Sequence, residues 1–533
     1  MNRNRLALLA IVFEASVLLF GNGMIGLFES SEARYAEVSR EMIETGDFLS
    51  PQMDYVYHFT KPPFAYWMTS LGMAIFGVNP FGARFFVTFF ASLTMLLVFL
   101  IGREESDDGG IFPLLVLGAS PMFFVMAKVL TTDIYVTFFV TLGVYLFNLL
   151  EKEKLTGVQF DLLFGACCAL AILTKGQVPL LYWALIFGGM AMFRRDIGLL
   201  KPFLSPLFLV TALALSGWWF AVVGAKHPGL LRYLFLRESI EASYSASRFH
   251  PGPLFYYIPV MIGAIFPFWM LLPAPRRLFN DPACSRYVGY TVFPLFLFSL
   301  FPAKLPTYLL PSLPGWALLL ACSSRASGKR LRLMPLAAGT VLAGALSFIA
   351  LRSERYVQAD FTDVYVILSV SIVLAFISAC FAFRDRADAT LAALFVAILM
   401  SGLAAPCIVA KAPEKFKIAE KTALAMKEKM SPDDKVLELR MTAFSIPFYL
   451  ERKVFAFENN FFRKKFLAEK PPHILQGEEE LKNFMDENPM VWIVADAKSE
   501  KFLLEKYPGS RLFLKGERYI VFVSPGLSDR ISR

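Results

Sequence analysis

The sequence predicts an α-helical membrane protein that crosses the bilayer many times and carries a small C-terminal α/β domain. Of its 533 residues, 56% are hydrophobic and only 18% are charged, and the mean hydropathy is +0.53. Soluble domains are about a quarter charged, so most of these apolar side chains must face lipid or other helices. The net charge of +9 sits in short basic clusters between apolar runs. This pattern indicates membrane topology and argues against a nucleic-acid partner.

Taking about 20 apolar residues as one span, the chain contains about thirteen candidate transmembrane helices. They lie at residues 6–27, 82–102, 111–128, 134–150, 159–173, 177–193, 202–224, 254–274, 287–301, 306–322, 333–351, 363–383 and 388–410. The first run follows Arg3 and Arg5, but it is too long for the apolar part of a signal peptide and lacks a small-residue cleavage site. We therefore expect it to be retained as the first span.

The basic clusters fall in alternate loops between these spans. They are Arg3 and Arg5; Lys152 and Lys154; Arg194, Arg195 and Lys201; Arg276, Arg277 and Arg286; Arg325, Lys329, Arg330 and Arg332; and Arg384 and Arg386. The positive-inside rule assigns this side to the cytoplasm. The loops at 28–81 and 225–253, and the chain from Lys411 onward, are then predicted to lie outside.

Beyond Lys411 the composition changes to mixed charge with alternating helix and strand patterns. A helix is predicted at 418–430, and strands are predicted at 436–440, 491–495 and 519–523. A segment of roughly 110 residues is long enough to bury a core of its own. The predicted domains are therefore a membrane domain at 1–410 and an outer domain at 411–533.

The first outer loop is the segment richest in polar residues. Tyr35, Val38 and Met42 share a helical face, which predicts a short amphipathic helix lying at the membrane surface. Glu29 and Glu32 are either solvated carboxylates in its first turn, where the helix dipole favours negative charge, or they supply a general base or an acceptor-orienting carboxylate. Further along, Lys61 precedes two prolines that fix the backbone. It is predicted to bind either a substrate phosphate or lipid headgroups.

Ionisable residues also lie at the outer ends of spans, namely Lys128, Asp133, Lys175 and Lys304. A charge at this depth is unfavourable unless it is paired or faces water, so each is a functional candidate with a snorkelling or ion-paired role as the alternative. Three lysines and one aspartate on the same side are what phosphate binding and acceptor orientation require.

His250, in the second outer loop, is interpreted as a loop hydrogen-bonding residue. It has no partner with metal-ligand spacing, and the six cysteines lie in or beside apolar runs. No metal site, disulfide framework or certain cofactor is predicted.

These motifs resemble those of a known family. They are Glu32-Ala-Arg-Tyr-Ala-Glu-Val-Ser-Arg-Glu-Met42, Gly46-Asp47, Lys61-Pro-Pro63, Tyr66-Trp67, Thr132-Asp133, Leu173-Thr-Lys-Gly176 and Lys304-Leu-Pro-Thr-Tyr-Leu-Leu-Pro311. In this order they are similar to the bacterial aminoarabinose transferases of lipid A and their relatives in the protein mannosyltransferase-like group of GT-C glycosyltransferases. The thirteen-span plan with an outer C-terminal domain is also that of the family.

The resemblance implies an inverting transfer of a sugar from undecaprenyl phosphate, or another polyprenyl phosphate, to lipid A or another envelope acceptor. It implies a multi-pass protein of the bacterial inner membrane whose C-terminal domain is periplasmic, with membrane lipids, the sugar donor and the acceptor as its partners.

Carried over to this chain, the resemblance divides the site residues by role. The catalytic carboxylates are Glu29, Glu32 and Asp133; the donor phosphate is bound by Lys61, Lys175, Lys304 and Arg34; and the substrate is contacted by Tyr35, Tyr308 and His250. The chain departs from the family at two positions. Ser31 stands where the family usually has aspartate, and Thr60 stands where the aminoarabinose enzymes usually have an acidic residue.

Two other functions fit part of this pattern. A polyprenyl-lipid flippase or transporter would also have many spans, but it requires polar residues on both sides of the membrane, and the candidates here lie on the outer side. A protein O-mannosyltransferase would use a hydroxyl group of a secreted protein as acceptor.

Overall fold

The computed structural model describes residues 3–531 with the exception of 30, 106–108, 235, 237–250, 324–327, 357–360, 385, 412, 417, 459–469 and 517. The chain divides into two compact units. The membrane unit comprises Met1–Asn22, Thr60–Ala65 and Arg84–Ile408, and the loop-and-sheet unit comprises Gly23–Phe59, Tyr66–Ala83 and Val409–Arg533. The second unit therefore contains most of the predicted outer loop 28–81 together with the C-terminal segment.

The membrane unit is mostly helical over its described residues. Its helices are Arg3–Leu19, Ile111–Gly118, Pro121–Met126, Asp133–Glu151, Gly157–Lys175, Val178–Arg194, Pro206–Lys226, Leu230–Arg232, Tyr257–Ala264, Pro275–Asn280, Pro282–Ser285, Val288–Leu300, Leu313–Ser323, Gly328–Tyr356, Thr362–Phe383 and Ala387–Gly402, with 3-10 segments at Ile197–Leu204, Phe268–Leu271 and Pro306–Ser312. Three further helices, Phe64–Phe76, Pro80–Glu105 and Ala404–Lys411, have residues in both units.

Every predicted span contains helix, and several are interrupted or only partly helical. Among the described residues, 7 helices are long and apolar enough to cross a membrane unaided. The predicted span 111–128 is instead two short helices that meet at Ser120-Pro121, because proline disfavours the α conformation of the residue before it. The span 306–322 begins as a 3-10 segment. The protein is a multi-pass membrane protein, and the count of thirteen stays a prediction.

Several of these helices expose apolar surface that only lipid can cover. Protein buries 17% of the Leu331–Ala350 segment and 33% of Thr362–Phe383. Their exposed side chains include Phe348 and Phe376, at 62% and 67%. In water, side chains as exposed as these would not gain the favourable free energy of burial. These helices therefore face the bilayer.

The basic loops meet at one end of the Asp133–Glu151 helix. Glu151 accepts hydrogen bonds from Arg194 and, at 2.9 Å, from Nη2 of Arg286. These arginines come from two of the predicted basic loops, and Glu151 ends the helix that leads into a third. The three loops therefore lie on the same side, as the alternating charge pattern predicts.

The loop-and-sheet unit is built on a six-stranded mixed sheet. Its strands follow the order β5-β4-β3-β6-β8-β7, where β3 is Lys435–Leu439, β4 is Phe455–Phe457, β5 is Ile474–Leu475, β6 is Val491–Ala495, β7 is Arg511–Lys515 and β8 is Ile520–Val523. The first four strands in this order are parallel to one another, and β8 is antiparallel to both of its neighbours, β6 and β7. The helices are Glu32–Thr45, Glu420–Lys427, Ser445–Leu450, Glu478–Glu487, Glu500–Lys506 and Pro525–Ile531, and a two-stranded hairpin joins β1, Gln52–Met53, to β2, Val56–Tyr57.

The Glu32–Thr45 helix differs from its prediction as a surface helix. Residues around its whole circumference are buried, including Glu37, Arg40 and Glu41 as well as Tyr35. Arg40 donates to both oxygens of Glu37 at 2.7 Å, so the charged face is paired inside the unit. The expectation that its polar face lies in water is wrong, because protein covers that side. Its position at the membrane surface stays a prediction.

Candidate active site

An ion pair in the membrane unit joins two of the predicted site residues. Nζ of Lys175 lies 2.6 Å from Oδ1 of Asp133, and their side chains are 14% and 10% exposed. Asp133 is the first residue of one helix and Lys175 is the last residue of another. The carboxylate of Asp133 thus lies at a helix N-terminus, and the ammonium group of Lys175 lies at a helix C-terminus. The helix dipole stabilises a charge of that sign at each of these ends. Lys175 is therefore the ion-pair partner of Asp133.

Tyr308 completes this cluster from a third segment. Its ring centroid lies 5.6 Å from Nζ of Lys175, within the range of a cation–π contact. Its backbone carbonyl accepts a hydrogen bond from the hydroxyl of Tyr182, a buried residue of the Val178–Arg194 helix. The late Lys-Leu-Pro-Thr-Tyr motif is thus fixed against the pair formed by Asp133 and Lys175.

Lys61 is held close to the start of the Asp133 helix by its neighbours in the chain. Pro62 and Pro63 are buried, and the ring of Phe64 packs edge-on against Tyr135 at 5.7 Å. Tyr135 is two residues beyond Asp133, so the Lys-Pro-Pro motif is anchored in the first turn of that helix. Nζ of Lys61 donates to the carbonyl of Thr60 at 3.0 Å, and the side chain is partly exposed.

Lys304 is 2% exposed, and its ammonium group is directed to backbone carbonyls. Nζ lies 3.4, 2.8 and 2.6 Å from the oxygens of Phe298, Ser299 and Phe301. These carbonyls lie at the C-terminal end of the Val288–Leu300 helix, where backbone acceptors have no partner within the helix. The three donors of Lys304 therefore cap a helix in this structure, and its donor-phosphate role stays a prediction.

Lys128 makes the same kind of contact. Its Nζ donates to the carbonyls of Leu18 and Phe20, both at 2.6 Å, at the end of the first helix. The two lysines therefore stabilise helix ends that proline and glycine interrupt, and the basic group at the cluster is Lys175.

Comparison with known proteins places these residues in a wider context. Residues 60–219 match the family model described as dolichyl-phosphate-mannose-protein mannosyltransferase. The chain is 30% identical over 360 residues to the undecaprenyl phosphate-alpha-4-amino-4-deoxy-L-arabinose arabinosyl transferase of Serratia proteamaculans (strain 568), a match that covers 64% of this chain and 63% of that protein. It is 29% identical over 341 residues to the transferase of the same name from Yersinia pestis (strain Pestoides F), covering 62% and 61% of the two chains.

Its fold is similar to that of ArnT from Cupriavidus metallidurans. The structure of that protein bound to undecaprenyl phosphate matches with a TM-score of 0.81 and 21% identity over 97% of both chains. The apo structure gives a TM-score of 0.82 and 19% identity over 99% of both chains. The chain is similar to these aminoarabinose transferases in sequence and to ArnT in fold. It matches less than two thirds of the length of its Serratia relative.

The carboxylates of the first outer loop lie in the loop-and-sheet unit. Oε1 of Glu29 accepts from the backbone N–H of Ser445 at 3.2 Å and also from the Ser445 hydroxyl. Oε2 of Glu29 is buried with no hydrogen-bond partner among the described residues. Burial raises the pKa of Glu29 to about 7, although the Ser445 hydrogen bonds oppose this rise. This carboxylate therefore links the first loop to the Ser445–Leu450 helix.

Glu32, Arg34 and Tyr35 have mainly local contacts in the same unit. Oε2 of Glu32 accepts from the N–H of Phe28 at 3.1 Å, as expected for a carboxylate at a helix start. The guanidinium of Arg34 lies 5.9 Å from the ring of Tyr35, which in turn packs on Tyr66 at 5.3 Å. Their catalytic, phosphate-binding and substrate-binding roles stay predictions.

The predictions for the second outer loop concern His250, which lies outside the described residues. Within the part of the chain that is described, no group of three or more His, Cys, Asp and Glu side chains is arranged to hold a metal ion.

Sequence reasoning missed two tyrosines of the cluster. Tyr182 donates to Tyr308, and Oη of Tyr257 lies 3.1 Å from the carbonyl oxygen and 3.2 Å from the amide nitrogen of Leu305. Both lie within or beside apolar runs, where a tyrosine is indistinguishable from a core aromatic residue. A polar hydroxyl buried in a span requires a partner, and this is the only sequence signal that could have found them.

Replacing Lys304 by alanine is expected to destabilise the protein by about 2 to 3 kcal/mol, because three carbonyls would lose a charged donor. The matched control is Lys201→Ala, which removes an exposed lysine of the same unit and should change stability by less than about 0.5 kcal/mol. Thermal unfolding of both variants in detergent would measure the difference. Equal melting temperatures would contradict the capping role.

Proposed function

We propose that this protein transfers a sugar from undecaprenyl phosphate, or another polyprenyl phosphate, to lipid A or another cell-envelope acceptor. The observation that carries the proposal is the Asp133–Lys175 ion pair with Tyr308, which joins three separated family motifs at one end of the membrane unit. The Serratia and Yersinia relatives are named for this donor, and the ArnT structure contains undecaprenyl phosphate.

In this proposal the acceptor oxygen attacks the anomeric carbon of the sugar while the bond between that carbon and the phosphate oxygen breaks. The electron pair of that bond leaves with the polyprenyl phosphate, and the configuration inverts. Lys61 and Lys175 bind the phosphate and stabilise the charge that develops on it. Asp133 positions Lys175 and the acceptor, and Tyr308 holds the ammonium group over its ring. Lys304 contributes by fixing the turn that carries Tyr308.

The acceptor proton requires a base unless the acceptor is already anionic. We expect Glu29→Gln to lose more transfer activity than Glu32→Gln, because the pKa of Glu29 is raised to about 7 and a base is most effective near the working pH. Glu32 acts at the helix start in either variant. The expected loss for Glu29→Gln is about tenfold to a hundredfold, measured as transfer rate with purified protein and donor. Near-normal rates in both variants would show that neither loop carboxylate acts as the base and would indicate that the acceptor is a phosphate.

Two acceptors are compatible with this chemistry. Lipid A follows from the resemblance of the sequence motifs to the aminoarabinose transferases of lipid A, and a protein hydroxyl follows from the family model matched by residues 60–219. Mass spectrometry of lipid A, surface glycans and secreted proteins from a deletion strain distinguishes them by which molecule loses a sugar. No mass change in any of the three would contradict the proposed function.

We also propose that the protein lies in the bacterial inner membrane with the C-terminal segment in the periplasm. A Lys501→Cys variant tests this, because the Lys501 side chain is 86% exposed. A membrane-impermeant maleimide should label it once the outer membrane is opened, with the parent protein as control for the native cysteines. Labelling that also requires a permeabilised inner membrane would reverse the topology.

A further inference from the structure

The first helix of the membrane unit carries a carboxyl group into the interior of the protein. Glu14 belongs to the helix Arg3–Leu19 and is 0% exposed. Leu8 and Val12 of the same helix are 62% and 53% exposed, so lipid covers another side of it. At about 1.5 Å per residue, Glu14 lies about 16 Å along the helix from Arg3. This depth is close to the middle of a bilayer core that is about 30 Å thick.

Three other helices meet at the Glu14 carboxyl group, and each presents an uncharged residue to it. A side-chain carbon placed at Gly118 would lie 2.5 Å from Oε2 of Glu14. The same position is 2.8 Å from the side chains of Met95 and Phe395. The missing side chain of Gly118 therefore makes the space that the carboxyl group fills. The three helices are Ile111–Gly118, Pro80–Glu105 and Ala387–Gly402.

This carboxyl group is not paired with a donor. Neither of its oxygens has a hydrogen-bond partner among the described residues. One turn further along the same helix lies the ammonium group of Lys128, but it donates to backbone carbonyls, those of Val17, Leu18 and Phe20. Arg5 of the same helix is nine residues before Glu14, which is about 13 Å along the helix axis.

A negative charge on Glu14 would be unfavourable for two reasons. A buried carboxylate without a donor loses its hydration, and no protein contact replaces it. In addition, Gly118 is the last residue of its helix, and the end of a helix at which its carbonyls point outward carries partial negative charge. A neutral carboxylic acid avoids both penalties, because burying an uncharged polar group is much less unfavourable than burying a charge.

We infer that Glu14 is a proton-binding site inside the membrane unit, where the bound proton keeps the carboxyl group neutral and allows four helices to close around it. Loss of the proton would place an unpaired charge against Gly118 and Phe395. The helices must therefore move apart before the site releases its proton. The proposed sugar transfer does not use this group, so the two proposals stand or fall separately.

The test is the infrared difference spectrum between the wild-type protein and Glu14→Gln. Both are purified at full length without sugar donor, at about pH 8, where an exposed glutamate is ionised. The wild type should show the carbonyl stretching band of one un-ionised carboxylic acid that the variant lacks. Because neither oxygen accepts a hydrogen bond, this band should lie at the high-frequency end of the range for carboxylic acids. Un-ionised acids elsewhere in the chain are present in both proteins and cancel.

Glu151→Gln is the matched control in the same unit, because the Glu151 carboxylate accepts hydrogen bonds from Arg194 and Arg286. This variant should lose the bands of an ionised carboxylate, and its melting temperature should fall because both guanidinium groups lose a charged acceptor. Glu14→Gln should melt within about 2 °C of the wild type, because a neutral amide replaces a neutral acid of the same shape.

A second variant separates the proton site from a hidden ion pair. Glu14→Met removes every polar atom of the side chain and should melt no lower than Glu14→Gln, since no donor of the protein loses an acceptor. Loss of ionised-carboxylate bands in Glu14→Gln, or a difference spectrum without an un-ionised acid band, would overturn the inference. A fall in melting temperature as large as that of Glu151→Gln, or failure of both Glu14 variants to fold, would also overturn it, because Glu14 would then be a charge with a partner.

Discussion

Replacing Lys175 by methionine is expected to lower the rate of sugar transfer by about a hundredfold. The change keeps the length of the side chain and removes the charge that faces both Asp133 and, in the proposed reaction, the donor phosphate. A hydrogen bond to a charged group contributes about 1.5 to 3 kcal/mol, which corresponds to about a tenfold to hundredfold effect. The unpaired carboxylate left at Asp133, which is 10% exposed, adds a further loss.

The companion variant Asp133→Asn removes the other half of the pair. If the two residues act together, the double variant loses less activity than the sum of the single losses, expressed as free energies. Lys154→Met is the matched control, because this lysine is 48% exposed and pairs with Glu104. Transfer and donor binding are measured separately with purified protein. Normal rates in both single variants, with normal expression, would exclude the pair from the reaction.

The positions of the helices could be predicted because a long apolar run indicates a segment that is surrounded by lipid or by other helices. Each apolar run contains helix, and the Asp133–Glu151 helix matches its predicted span 134–150 to within one residue at each end. The breaks in the span 111–128 could not be derived, because proline and glycine are tolerated in membrane helices when neighbours supply hydrogen-bond partners. Those neighbours are set by tertiary structure.

The site illustrates a different limit. The sequence indicated Asp133, Lys175 and Lys304 as candidates because charged groups at span ends are unfavourable unless they are paired or used, and the family resemblance added Tyr308. It could not assign partners, since Lys175 lies 42 residues from Asp133 and several lysines were equally available. Three-dimensional packing alone distinguishes Lys175, which binds a carboxylate, from Lys304, which binds carbonyls.

In the loop-and-sheet unit, the sequence pattern predicts the burial of a strand correctly and the burial of a helix incorrectly. The run Val491–Ala495 is fully buried, and its five apolar residues predict it as a strand without ambiguity. The Glu32–Thr45 helix has a polar face that the pattern assigned to water, yet Glu37 and Glu41 are buried. Periodicity identifies which residues share a face, but it does not say whether protein also covers the other face.

Buried carboxylates in this unit make its stability depend on pH, and Asp54 is the clearest case. Oδ1 of Asp54 accepts from the N–H of Val454 at 3.0 Å, and Nε2 of His473 lies 2.8 Å from the Asp54 carbonyl oxygen. Burial raises the pKa of Asp54 from 3.8 to about 8. The charge of Glu37 raises the pKa of Asp54 further, whereas the charges of Lys453 and Arg40 lower it. Asp54 in turn raises the pKa values of Glu41 and Glu438.

The sign of the effect follows from the direction of this pKa. Because the folded-state pKa of Asp54 lies above the unfolded value, the folded state retains a proton that the unfolded chain has lost. Its contribution to stability is complete below about pH 4 and is lost as the pH rises to about 8. His473 acts in the opposite direction, since burial lowers its pKa from 6.5 to about 4 and its contribution is lost as the pH falls through that range.

Replacing Asp54 by asparagine is therefore expected to stabilise the protein at alkaline pH. Asparagine keeps the acceptor for Val454 and suits the left-handed backbone of this position, where φ is 53°. Between pH 5 and pH 8 the wild-type free energy of unfolding should fall by on the order of 2 kcal/mol more than that of the variant. Thermal unfolding from pH 5 to 9 measures this, with Asp486→Asn as the control at an exposed carboxylate of the same unit. Parallel pH profiles for wild type and Asp54→Asn would mean that Asp54 is already ionised in the folded protein, in which case Lys453 and Arg40 outweigh its burial.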